Sequence, residues 1–194
     1  MLLKNKTVFV YDVEVFPNLF TCTLKNTESG NIQTYEIGER RNDLVLIKTI
    51  FLKKQFFACG YNNTHYDDLL INYLLINYKD LVQLPYWEIN KQLKQLNDQI
   101  ISSQKNKFNG LEKYKYANLF DSLDLLAMLF SNKLRIGLKE MEVTLEYPNV
   151  LQYDGNFNQF CPIEDIDKVI AYLIMRPRNR KIGWIAGKLS RNIC

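Results

Sequence analysis

The chain has 194 residues, of which 47% are hydrophobic, 24% charged and 13% aromatic, a mix that suits one domain with a buried core. No apolar run reaches the roughly 18 residues that a membrane-crossing helix needs, so a membrane protein of that type is not expected. The net charge of +4 sits in the tail: Arg176, Arg178, Arg180, Lys181, Lys188 and Arg191 face no acid after residue 175, which leaves 19 basic against 21 acidic side chains before it.

The opening "MLLKNKT" runs at once into "TVFVYDVEVF" (7–16), an apolar, β-branched run of strand length that leaves no room for a signal peptide. "LFTCTLKN" (19–26), the turn "TESGN" and "IQTYEI" (32–37) continue it as an antiparallel three-strand meander. Helical spacing follows over 41–54, then a buried strand over 55–62 ending near a glycine, then a largely apolar helix over 66–78. "WEINKQLKQLNDQI" (87–100) sets Ile89, Leu93, Leu96 and Ile100 on one stripe, the pattern of an amphipathic helix. The segment 115–130 reads as a short strand entering a helix, and 137–147 as another helix. The last helix spans 162–175, with Pro162 near its first turn and Pro177 ending it. A meander followed by alternating strands and helices predicts an α/β domain over 1–175, with parallel strands added to the meander and helices flanking the sheet. Residues 176–194 form a divergent basic tail, which is either solvated or a non-specific contact for nucleic acid. Cys22, Cys59, Cys161 and Cys194 make no C-x-x-C pair. They read as buried thiols of a reducing compartment, and a cytoplasmic location is expected.

Within this frame two acidic stretches stand out. Asp12 and Glu14 are two residues apart on a strand and therefore share a face. Like charges beside a buried sheet are costly unless protonated or joined by a cation, and hard divalent ions prefer carboxylate oxygens. The plain alternative is a strand edge with two solvated acids. The second stretch is "GYNNTHYDDLLI" (60–71), where a strand hands over to a helix, a usual site location in open α/β sheets. Here Asn63 precedes Asp67 by four. Thr64 and Asp67 also fit a capping box with no chemistry attached.

Together, "YDVEVFPNLF", "GYNNTHYDDLLI" and "FDSLDLLAML…GLKEMEVTLEYPNV" resemble the proofreading 3′–5′ exonuclease domain of phage family-B DNA polymerases, a DnaQ-like, DEDD-type domain of RNase H-like fold. The similarity runs in order from residue 6 to about residue 172. It implies two Mg²⁺ or Mn²⁺ ions on Asp12, Glu14 and Asp67, with Glu14 also positioning the attacking water and Tyr172 orienting it. It implies contacts from Phe16, Asn63, Tyr66, Ser122 and Leu123 to a single-stranded DNA 3′ end. A palm with its own acidic motifs does not fit in the remaining residues, so the resemblance implies either the detached amino-terminal part of a phage-type polymerase, with a polymerase domain or subunit as partner, or a stand-alone trimming enzyme.

The last motif departs from the family. Tyr172 should be followed four residues later by a metal-binding Asp, and Arg176 stands there. Asp165 and Asp167 precede Tyr172 and would be turned away by a helix. A catalytically impaired nucleic-acid-binding module is therefore the second expectation, and a purely structural domain with no affinity for single strands the third. The abrupt composition change after Tyr172 also suggests a one-base frame change near codon 173. Translating the other frames checks it, and the idea fails if none places Asp four residues after Tyr172.

Overall fold

A computed structural model describes residues 5–103, 111–129 and 155–175. The meander forms as its alternation predicts: β1 (Thr7–Val15), β2 (Phe20–Asn26) and β3 (Ile32–Ile37) pair in series, antiparallel throughout. β4 (Phe56–Gly60) and the short β5 (Ser122–Asp124) then add in parallel on the other side of β1. The result is a five-stranded mixed sheet of order β3-β2-β1-β4-β5.

Helices follow the apolar spacing. α1 (Leu44–Phe51) begins three residues later than the periodicity implies, because Asn42 and Asp43 make the turn: Asn42 Oδ1 accepts the Leu44 N–H at 3.2 Å, and Asp43 Oδ2 accepts the Glu36 N–H at 2.9 Å. α2 (Asp67–Ile76), α3 (Tyr78–Leu81) and α4 (Tyr86–Ser103) follow, then α5 (Glu112–Lys115), α6 (Leu125–Leu129) and α7 (Ile166–Met175). The helix expected over 137–147, Cys194, Arg176 and the basic tail lie outside the described residues.

The principal core lies on the sheet face bearing Tyr11, Val13 and Val15. There it meets Leu44, Ile47 and Phe51 of α1, Leu70 and Leu74 of α2, and the Ile89, Leu93, Leu96 and Ile100 stripe of α4. A smaller cluster joins Phe16 and Leu19 to Cys161, Ile166 and Val169. It is pinned by Asn18, whose Nδ2 donates to the Cys161 carbonyl while its Oδ1 accepts the Cys161 N–H, both at 2.8 Å. Arg40 ties the same region down, donating from Nη1 to Asp167 Oδ1 at 2.6 Å. Among the described residues no helix is long and apolar enough to cross a membrane.

Candidate functional site

Asp12 and Glu14 lie on the sheet face opposite the principal core and are buried, at 1% and 8% exposure. β1 pairs with β2 as far as Val15, but with β4 only as far as Val10. The β4-side edge of β1 is thus open, among the described strands, at the residues that carry the acids. Asp67 arrives there: its Oδ1 accepts the Val13 N–H at 3.2 Å, at the residue between the two acids. Asp67 is itself only 3% exposed. Cys22 is the register partner of Val13. Burial pushes its thiol well up, and the negative fields of Asp67 and Asp12 push it further.

Local chemistry explains why Asp67 reaches the strand. β4 stops at Gly60, where a Cβ would stand 2.7 Å from the Asn63 Cβ, so glycine makes room for the Asn63 side chain. Asn62 turns the chain with φ of 61°, a left-handed conformation that asparagine tolerates well. A 3₁₀ turn, Asn63–His65, then leads into α2. Asp124 clamps this turn from β5, accepting from the Asn62 N–H at 2.8 Å, the Thr64 hydroxyl at 2.6 Å, the Thr64 N–H at 3.3 Å and the Leu126 N–H at 2.9 Å. The capping-box reading is corrected here: Thr64 gives its hydroxyl to Asp124, and Tyr66 precedes α2 with no side-chain cap.

Beside Asp67, Asp68 is the hub of a buried network. It accepts from the Tyr11 hydroxyl, from Asn63 Nδ2 at 3.1 Å and from Ser122 Oγ at 3.0 Å. Burial raises the Asp68 carboxyl above its ordinary range, and those three donors oppose the rise. β1, the β4–α2 turn, α2 and β5 are joined through this one side chain.

The remaining predicted residues are dispersed over several surroundings. Asn63 is fully buried, and its Nδ2 also reaches Ser122 Oγ at 2.7 Å; both side chains point into the Asp68 network. Tyr66 is half-buried and donates to Asn97 Oδ1 of α4 at 2.6 Å. Ser122 and Leu123, adjacent on β5, face opposite sides of the sheet, and register puts Leu123 on the acid face through Cys59 and Val10. Phe16 is 1% exposed and meets the Phe157 ring at 5.0 Å between centroids, and Tyr172 packs half-buried against the same cluster. Phe16, two residues along the chain from Glu14, and Tyr172 thus belong to one apolar cluster. Asp68, Asp124 and Asn18 were not legible as site supports. Asp124 closes a strand and Asp68 sits at a helix start, polarity being their only sequence signal, and Asn18 carried none.

The acid face continues across the meander. Glu14 pairs with Thr21 and Thr21 with Glu36, while Asp12 pairs with Thr23 and Thr23 with Thr34. Glu36 is 1% exposed and neutralised by Arg40, which donates from Nη2 at 2.6 Å and Nε at 3.2 Å. Thr23 and Thr34 share a hydroxyl contact at 3.3 Å. Thr21 Oγ1 is buried with no hydrogen-bond partner among the described residues. No three His, Cys, Asp or Glu side chains among the described residues form a preassembled cation cage. The chain matches no family model, no curated protein and no solved structure. An open groove of about 320 Å³ by Phe9, Gln33, Tyr35, Leu46 and Ile50 belongs to the opposite face, and no acid among the described residues lines it.

Proposed function

We propose that the chain is a metal-dependent 3′–5′ exonuclease domain acting on single-stranded DNA 3′ ends, part of or partner to a phage-type DNA polymerase. The observation that carries the reading is the Val13 N–H to Asp67 Oδ1 bond, which joins the acid of "HYDD" to the strand of "DVE" across 54 residues. An antiparallel three-strand meander extended by two parallel strands supports the RNase H-like form of the fold.

The donor set fits hard divalent ions, since carboxylates are the ligands Mg²⁺ and Mn²⁺ prefer. Asp12, Glu14 and Asp67 are the residues to hold two such ions. These would supply an activated water and charge neutralisation at the phosphate, releasing a nucleoside 5′-monophosphate. Asp12 and Glu14 are presented by a strand whose opposite face is solid core, so their backbone is fixed before substrate arrives. Asp67 is aimed by the bond to Val13 and by the clamp on its turn. Tyr172 would orient the attacking water from its half-buried place against the Phe16 cluster.

Incubating the protein with a 5′-labelled single-stranded oligonucleotide and Mn²⁺ tests the proposal. A ladder shortening from the 3′ end is expected. Asp12→Ala should slow it more than about a hundredfold, beyond the usual effect of removing even an outer partner of a metal ligand. A second reading, a binding module without turnover, is favoured by Arg176 at the place of the fourth acid. Under that reading the oligonucleotide is bound and never shortened. A structural domain would not bind it.

A further inference from the structure

The acid face holds a buried hydroxyl that the proposed reaction has not used. Thr21 lies at the centre of β2 with 0% exposure, and its hydroxyl oxygen has no hydrogen-bond partner among the described residues. Strand register sets it directly opposite Glu14 on one side and Glu36 on the other, all three on the same face. Directly paired residues bring their Cβ atoms within about 5 Å. Its neighbours on this face are otherwise served: Glu36 by Arg40, and Thr23 by Thr34.

An unsatisfied buried hydroxyl costs free energy, and valine has the same shape at no such cost and a higher strand preference. A threonine here is therefore explained best by a partner that arrives later. Two carboxylates on the adjacent strand attract a cation, and small divalent ions keep much of their hydration water, which needs acceptors and donors around it. Resting on the metal reading above, we propose that Thr21 is a positioning residue for Asp12 and Glu14. Its hydroxyl receives the hydration water of the divalent ion and through it fixes the Glu14 carboxylate.

Two variants and two readouts test this: Thr21→Val and Thr21→Ser, compared by thermal midpoint in EDTA and by Mn²⁺ affinity from the electron paramagnetic resonance of free Mn²⁺. Thr21→Val should keep or raise the metal-free midpoint, since no bond is lost, and weaken Mn²⁺ binding roughly tenfold, as removal of an outer partner does. Thr21→Ser should restore most of the affinity. Unchanged Mn²⁺ affinity in Thr21→Val, alongside a loss in Asp12→Asn, would overturn the role of Thr21 and leave the metal reading standing. A fall in the metal-free midpoint with no rescue by serine would make the hydroxyl a structural group and overturn the role equally. Mn²⁺ affinity unchanged from wild type in Asp12→Asn overturns both.

Discussion

Tyr11, Asn63 and Ser122 come from three separate stretches of chain, and each gives a hydrogen bond to Asp68. Asp68→Ala strands three buried donors at once, so a loss of about 3 kcal/mol or more is expected in urea unfolding, with Asp68→Asn milder because one acceptor survives. The tandem "DD" concealed this division of labour. Adjacent acids at a helix start look alike in sequence, and only the strands beside them decide that Asp67 meets β1 while Asp68 is buried among hydroxyls and an amide. The thiols carry a second residue-scale prediction. Burial, helped by the Asp124 charge, pushes the Cys59 thiol up to about 12 from an ordinary 9.0. The native fold thus prefers the neutral thiol. Its stability is intact below pH 9 and is lost as the pH climbs toward 12, because the unfolded chain ionises first. Cys59→Ala should flatten part of that decline in the denaturation midpoint, and native protein at pH 8 should resist iodoacetamide at Cys59.

Among the elements, α7 and the segment that leads into it are held by a few identifiable contacts. The Asn18 side chain grips the Cys161 backbone, Arg40 reaches Asp167, and Phe16 packs on Phe157. Asn18→Ala leaves the Cys161 N–H and carbonyl to water, at a cost of about 1–2 kcal/mol. Hydrogen exchange should then speed up across 161–175 while β1 and β4 keep their protection. Periodicity revealed most elements because the forces that make them are local: the α4 stripe is buried as spaced, and the meander pairs strand to strand. The start of α1 was misplaced because Asn42 and Asp43 spend their side chains on the turn. Asn18, in "VFPNLF", gave no signal, because its partner lies 143 residues away.

At the scale of the whole molecule, the sheet has two unlike faces. One carries the principal core, and the other carries a row of acids and threonines that a stable fold alone has no need to bury. The α/β class of the fold was readable from residue types and order, and so were the two acidic stretches "DVE" and "HYDD" as candidates. Their meeting was expected from the strand-to-helix handover and from the resemblance, but its means was not: β1 outruns β4 and leaves a backbone N–H that donates to Asp67. The readings of Asn63 and Ser122 as strand contacts came from the resemblance alone, and both side chains turn inward to Asp68. The most direct test of the central claim is paramagnetic broadening of amide NMR signals by substoichiometric Mn²⁺. Signals of residues 12–14, 21–23 and 67 should broaden first and together, and Asp67→Asn should weaken the effect at all of them. Broadening elsewhere, or at 12–14 with no change in Asp67→Asn, would contradict a shared cation site.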